Sequence, residues 1–157
     1  TNRIDYIHET DLDNYELLTR VNLRAPFLIT RYVSRSMKQF CYGRIVNIAS
    51  IWSVITKPKR SVYSTTKFGL LGMTKAAAVE LAIHNVLVNA VSPGFTMTEL
   101  TTSVLSKQEI KELCSQVPAG RFAAPEEIAK TVLFLASGLN TYLTGQNIVI
   151  DGGFVCV

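Results

Sequence analysis

Apolar residues recur at helical spacing from the start of the chain: Leu12, Leu17, Leu18, Val21, Leu28, Tyr32 and Val33 follow a period of three to four. The pattern predicts a helix capped by Thr10 or Asp11 and interrupted at Pro26, which has no amide to donate. After a glycine the pattern changes. "GRIVNIAS" is apolar and β-branched without alternation, which predicts a buried strand over 44–49. "YSTTKFGLLGMTKAAAVELAIH" predicts a long helix ending near His84 and Asn85. "VLVNAVSP" predicts a second buried strand, stopped by Pro93 and Gly94. A short polar helix in "SKQEIKELCSQV" forms an insertion. Pro125 and two glutamates then open a helix in "APEEIAKTVLFLAS", and "QNIVIDGG" is a last strand with a glycine stop.

The order is helix, strand, helix, strand, insertion, helix, strand. Strands that are apolar throughout, separated by helices, imply an α/β protein with a parallel sheet covered on both faces. Without internal repeats, low-complexity tracts or linkers, residues 1–157 read as a single domain. Ligands of such sheets sit at the carboxyl ends of the strands. Ser50 follows the first strand, "SPGFTMTEL" follows the second, and Tyr63 begins the helix after the first. All three fall on one rim.

Composition narrows the class. At 48% hydrophobic and 18% charged residues the chain is unlike a disordered one. Its net charge of +4 comes from scattered bases, the tightest group being Lys57, Lys59 and Arg60. With no arginine-rich tract and no zinc-finger spacing, nucleic-acid binding is not expected. Three well-separated cysteines, Cys41, Cys114 and Cys156, suit a reducing compartment, so a cytoplasmic protein is expected. No apolar run has the length to cross a bilayer, and no signal-peptide pattern opens the chain. The polar start, without an initiator methionine, reads as a chain entered partway through.

"SVYSTTK" sets Tyr63 and Lys67 four apart, on one helix face. Such a pair is either an ordinary surface pair or a phenol made acidic enough to work. Ser50 lies thirteen residues upstream of Tyr63. His8 and His84 have no partners at metal-ligand or triad spacing, so no metal is expected; His84 suits a helix C-terminus. A serine hydrolase would need a G-x-S-x-G elbow and a histidine base, and the sequence offers neither.

Five segments, in order, resemble the classical short-chain dehydrogenase/reductase family: "VNL", "IVNIAS", "VYSTTK", "VNAVSPGFTMT", and "AGRFAAPEEIAKTVLFLAS" with "TGQNIVIDGG". The last stretch is most like 3-oxoacyl-carrier-protein reductases. The family's glycine-rich phosphate loop and its Asn-Asn-Ala-Gly segment are not in the sequence. The resemblance therefore implies the second half of a Rossmann-like, doubly wound fold, one βαβαβ half of about 100 residues being outside it. It also implies an NAD(P)-dependent oxidoreductase acting on a carbonyl/alcohol pair, NAD or NADP not being readable. A carrier-protein-linked substrate and a homodimer or homotetramer fit the same resemblance. A non-catalytic Rossmann-like binding or assembly subunit is the alternative.

The chemistry can be set out residue by residue. A free tyrosine, with pKa ~10, is a poor base at neutral pH, and a nearby ammonium favours the phenolate. Tyr63 is thus the expected general acid/base and Lys67 the charge that tunes it; the resemblance adds that Lys67 holds the nicotinamide ribose. Ser50 is expected to donate to the substrate oxygen, with Ser53 a competitor that the spacing disfavours. Pro26 lies four residues after Asn22, so the Asn22 carbonyl loses its helical partner and offers a water site. The resemblance makes Asn22 catalytic through a proton relay to Lys67. Pro93, Gly94, Phe95, Thr96 and Thr98 match the loop that clamps the nicotinamide. Trp52 either lines the substrate pocket or packs. The Lys57, Lys59, Arg60 loop is expected to be solvated, and Asp151 with Gly152 and Gly153 structural.

Overall fold

The computed structural model describes residues 3–157, so the first two residues of the expected single domain lie outside it. The first helix starts where the sequence placed it. Asp11 accepts from the Asp13 amide at 3.1 Å, while the Thr10 hydroxyl turns back to the Tyr6 carbonyl at 3.1 Å. Helix α1 (Leu12–Thr19) does not stop at Pro26. It passes through one wide π turn, Arg20–Arg24, and continues as α2 (Ala25–Gln39). The Ala25 amide reaches back five residues to the Arg20 carbonyl. A proline ring clashes with the carbonyl four residues before it, and the widened turn absorbs that clash without ending the helix.

Strand β1 (Gly43–Ile48) begins one residue earlier than expected; its last expected residue, Ala49, still donates to Val91 O at 2.7 Å. Helix α3 (Ser61–Leu81) follows, with a short 3-10 turn, Ala82–His84, at its end. Asn85, at φ 55°, closes that turn in the left-handed region that asparagine tolerates. Then come β2 (Val86–Pro93), the short helices α4 (Glu99–Val104) and α5 (Lys107–Ser115), α6 (Pro125–Ala136) and β3 (Asn147–Ile150). The sequence had merged α4 into the loop after β2. Its cap, the Thr98 hydroxyl on the Thr101 amide at 3.2 Å, is a short-range signal inside a polar run.

The three strands form a parallel sheet in the order β1-β2-β3, with Gly43 opposite Val86 and Ala90 opposite Asn147. Adjacent residues of a strand face opposite sides, so β1 sends Ile45 to one layer and Val46 to the other. On one side Val86, Val88 and Ala90 meet Leu70, Ala78 and Leu81 of α3. On the other Val91, Ile148 and Ile150 meet Ile128 and Leu135 of α6. Burying a Val or Leu side chain contributes about 1.5–3 kcal/mol, and β2 is buried from Val86 to Ser92. Its polar residues are satisfied. Asn89 accepts from the Gln146 amide and donates to the Leu143 carbonyl, tying the turn before β3 to the central strand.

The apolar stripe of α1 and α2 is helical, as its period predicted, but only Leu18 of it is buried; Leu12, Leu17, Val21, Leu28 and Tyr32 are exposed. No helix of the described residues is long and apolar enough to cross a membrane.

Candidate active site

The carboxyl end of β1, the start of α3 and the π turn meet at one place. Ser50 ends the extended run after β1. Its hydroxyl accepts from the Trp52 amide at 3.3 Å, which caps the 3-10 turn Ile51–Ser53. Thirteen residues on, the first turn of α3 brings Tyr63 to the same point, and the Ser50 hydroxyl hydrogen-bonds its phenol. Ser53 does not compete. It is buried and bonded to the Ser50 carbonyl and the Ser92 hydroxyl. Lys67, one turn further, lies with its ammonium 5.7 Å from the centre of the Tyr63 ring and donates to the Ile48 carbonyl at 2.8 Å.

Asn22 joins this group through its side chain. Its amide donates to the Thr66 hydroxyl at 3.2 Å, and that hydroxyl donates to the Tyr63 carbonyl at 2.8 Å. The π turn thereby stitches α1–α2 to the working turn of α3. A cavity of about 370 Å³ beside it is lined by Asn22, Pro26, Asn47, Ile48 and Lys67.

The charges differ from the expectation in one respect. The Tyr63 phenol is held above its ordinary value: burial pushes it up, while the Ser50 hydrogen bond and the Arg60 guanidinium pull it down by less. Arg60 is a cation that pulls on the phenol, and the Lys67 ammonium lies 5.7 Å from the centre of its ring. Lys67 is itself held below the usual lysine value by burial, and its ammonium points at the end of β1.

On the other side of Tyr63 a cavity of about 810 Å³ opens, with Leu17, Val21, Arg60, Phe95, Leu100 and Val104 among its lining residues. Its far wall is the loop after β2. Pro93 closes the strand. Gly94 is required there because a Cβ would lie 2.7 Å from that of Asp151, so the strand end and the Asp151 turn approach closely. Asp151 is structural as expected, accepting from the Gly153 and Val155 amides. The Phe95 ring stacks on Phe122 at 5.1 Å and meets Phe154 edge-on at 5.2 Å. The Thr98 hydroxyl is occupied as the cap of α4, and the Thr96 carbonyl accepts from the Thr101 hydroxyl at 2.8 Å.

The fold implies a nicotinamide dinucleotide, and the donor set here fits its nicotinamide–ribose end. Lys67 supplies an ammonium on the rim. Beside it a cavity of about 660 Å³ has apolar walls, Ile48, Pro93, Ile128 and Val132, with Thr96 and Thr98 at its edge, suited to a flat ring bearing an amide. Among the described residues no cluster of His, Cys, Asp and Glu is arranged to hold a metal ion.

Sequence reasoning missed two members of the site. Thr66 carries the link to Asn22, and its only signal is a β-branched hydroxyl residue inside a helix. Arg60 stood in a basic loop, and only the fold shows that the residue just before α3 lines the same cavity as Tyr63. Trp52 is buried and packs edge-on against Phe154 at 6.4 Å, with Lys57 and Arg60 over its ring, so packing is its part.

A parallel α/β sheet with its polar rim at the strand ends is what these elements define, and comparison with known proteins places it. The family model described as Enoyl-(Acyl carrier protein) reductase matches residues 2–155. The chain belongs to the short-chain dehydrogenase/reductase family. It is 47% identical over 140 residues to the 3-oxoacyl-[acyl-carrier-protein] reductase FabG of Aquifex aeolicus, a match covering 89% of this chain and 56% of that protein. It is 40% identical over 134 residues to the NAD-dependent glycerol dehydrogenase of Listeria innocua, covering 85% of this chain and 53% of that one. The crystal structure of a gluconate 5-dehydrogenase from Burkholderia cenocepacia, in complex with NADP and tartrate, superposes with a TM-score of 0.93 at 30% identity; the match covers 99% of this chain and 62% of that one. The chain thus spans little more than half the length of the curated relatives it matches.

Proposed function

We propose that the protein is an NAD(P)-dependent oxidoreductase that interconverts a carbonyl and an alcohol, the chain being the C-terminal portion of one Rossmann domain. The observation that carries this is the convergence of Ser50, Tyr63 and Lys67 at the end of β1, with Tyr63 opening onto a cavity of about 810 Å³. A bound nicotinamide supplies or accepts the hydride. The rest falls to the chain. Ser50 donates to the substrate oxygen as charge develops on it. Tyr63 gives that oxygen a proton during reduction and takes it back during oxidation. Burial holds the phenol above its ordinary value, so at neutral pH it carries the proton that the substrate oxygen takes up during reduction. Lys67 would hold the ribose hydroxyls, and Pro93, Gly94, Phe95, Thr96 and Thr98 would flank the ring. Asn22 keeps Lys67 and the π turn in register through Thr66 and stands at the start of a proton path to solvent.

The names of the relatives support this class: they are reductases and dehydrogenases of 3-oxoacyl groups, glycerol and gluconate. The apolar wall of the cavity, Leu17, Val21, Leu100 and Val104, suits an aliphatic substrate, carrier-linked or free. The exposed apolar face of α2 and α3, including Leu28, Tyr32, Phe68 and Val79, supports assembly as a homodimer or homotetramer. Free thiols at Cys41, Cys114 and Cys156 suit the cytoplasm.

The test is to give the intact protein NADH or NADPH and a panel of aliphatic ketones, 3-oxo acids and 3-oxoacyl thioesters, following nicotinamide absorbance and, separately, cofactor binding. Turnover with at least one carbonyl supports the enzyme. An intact protein that binds neither cofactor would establish the scaffold alternative instead.

A further inference from the structure

Three buried serines meet behind the Ser50–Tyr63 pair: Ser50 and Ser53 in the turn after β1, and Ser92 near the end of β2. The Ser50 carbonyl accepts twice from one residue, from the Ser53 amide at 2.9 Å and from the Ser53 hydroxyl at 2.5 Å. The same hydroxyl lies 3.1 Å from that of Ser92. Ser92 donates its own proton to the Asn147 side chain at 2.6 Å, so its oxygen faces Ser53 as an acceptor. Ser53 thereby shares one proton between two oxygens. The run Ser50–Ser53–Ser92–Asn147 crosses the sheet from the end of β1 through β2 to the start of β3. Ser53 is 2% exposed and Ser92 0%, and neither lines the cavities around Tyr63, so neither is placed to touch substrate.

We propose that Ser53 and Ser92 are positioning residues that hold the Ser50 peptide in its extended conformation, φ −172° and ψ 161°, and so aim the Ser50 hydroxyl at Tyr63 and the substrate oxygen. The part that concerns substrate rests on the oxidoreductase reading above. A serine hydroxyl stands one torsion away from the backbone, so its direction follows the peptide that carries it. On the hydroxyl itself the Trp52 amide is a long restraint, at 3.3 Å, whereas the carbonyl of the same residue is held at 2.5 and 2.9 Å. The grip is therefore on the backbone, and Ser92 fixes it to the central strand. A reacting group displaced by about 1 Å loses on the order of 100-fold in rate, which is why so small a rotation matters. Ser92 also precedes Pro93 and Gly94, so one chain of hydroxyls sets the Ser50 turn against the loop after β2.

Tyrosine carrying an NMR-active isotope at Cζ reports the hydrogen bond on the Tyr63 phenol in the intact protein at neutral pH, without substrate; Tyr63→Phe identifies its signal. Ser50→Ala is expected to shift that signal. Ser53→Ala and Ser92→Ala are each expected to shift it part of the way in the same direction, and neither to shift it further once Ser50 is alanine. In single-turnover hydride transfer, Ser53→Ala is expected to slow the protein about 3- to 10-fold, the size of one neutral hydrogen bond, with nicotinamide affinity unchanged. In the Ser50→Ala background the same substitution is expected to leave the rate as it is. A fall equally large with and without the Ser50 hydroxyl is a general loosening of the fold and overturns the proposal. So does a Tyr63 signal that neither Ser53→Ala nor Ser92→Ala moves. Ser92→Ala reads the chain from its far end, so the test stands should Ser53→Ala not fold. Signals that shift as described in a protein that turns over no carbonyl would uphold the positioning of Ser50 and overturn the enzyme reading, so the two fail separately.

Discussion

Three hydroxyl and amine groups around Tyr63 divide the work unequally. Ser50 touches the phenol, Arg60 lowers its pKa through space, and Lys67 bonds the strand end. Because Arg60 pulls the phenol down, Arg60→Gln raises it further. Alcohol oxidation needs the phenolate, so the alkaline rise of kcat with pH is expected to move to higher pH in that variant; an unmoved profile contradicts the coupling. The spacing of Tyr63, Lys67 and Ser50 was legible because periodicity alone puts two on one helix face and the third at a strand end. The part of Arg60 was not. A cluster of bases between two elements looks like a solvated loop, and Lys57 and Lys59 are indeed exposed, while of the three only Arg60 lines the cavity beside Tyr63.

Among the elements, the wide turn at Arg20–Arg24 shows how a local chemical oddity becomes tertiary structure. Pro26 forced some irregularity, and its position was readable. What was not readable is that the helix survives it and that the Asn22 side chain reaches α3. Asn22→Ala removes the bond to Thr66, with an expected loss of about 0.5–1.5 kcal/mol in denaturant unfolding. Its larger effect should be on turnover, since Lys67 follows Thr66 directly. Gly94→Ala sets a methyl against Asp151, both its Cβ and its backbone, and overpacking of this kind costs about 1–3 kcal/mol. The same unfolding measurement reads it; a variant as stable as wild type means that the two strand ends separate freely. The apolar stripe of α1 and α2 gave the helix its period but not its environment, because periodicity says which residues share a face and not what covers that face.

At the scale of the whole molecule, β2 is the spine: both layers pack on it and Asn89 locks the turn before β3 to it. Leu70→Ala, in the α3 layer, is expected to cost about 2–5 kcal/mol in the same measurement. The parallel sheet and its two helical layers were legible from strands apolar throughout, but only β2 is buried along its length, while β1 and β3 are mostly half-buried and Ile48 is exposed. The insertion after β2 was less so, since α4 is held by hydroxyl caps and not by an apolar stripe. Its far end is tied by Arg121 and Glu127, bonded at 2.6 and 2.8 Å; with the Ala124 amide, Arg121 holds Glu127 at a pKa of about 2. A carboxylate depressed in this way stabilises the fold above its unfolded value, near 4.5, and that stability is lost as pH falls toward 2. Glu127→Gln is therefore expected to flatten the fall of Tm across that window and to leave its shape above pH 5 unaltered. All of these features serve one arrangement, a phenol poised to exchange a proton with a substrate oxygen. Its most direct measurement is the single-turnover rate of hydride transfer in the intact protein, wild type against Tyr63→Phe, with circular dichroism to show that both fold. The expected result is a loss of about 100-fold or more in the variant, as for removal of a positioned acid. A variant that transfers hydride at the wild-type rate would contradict the account.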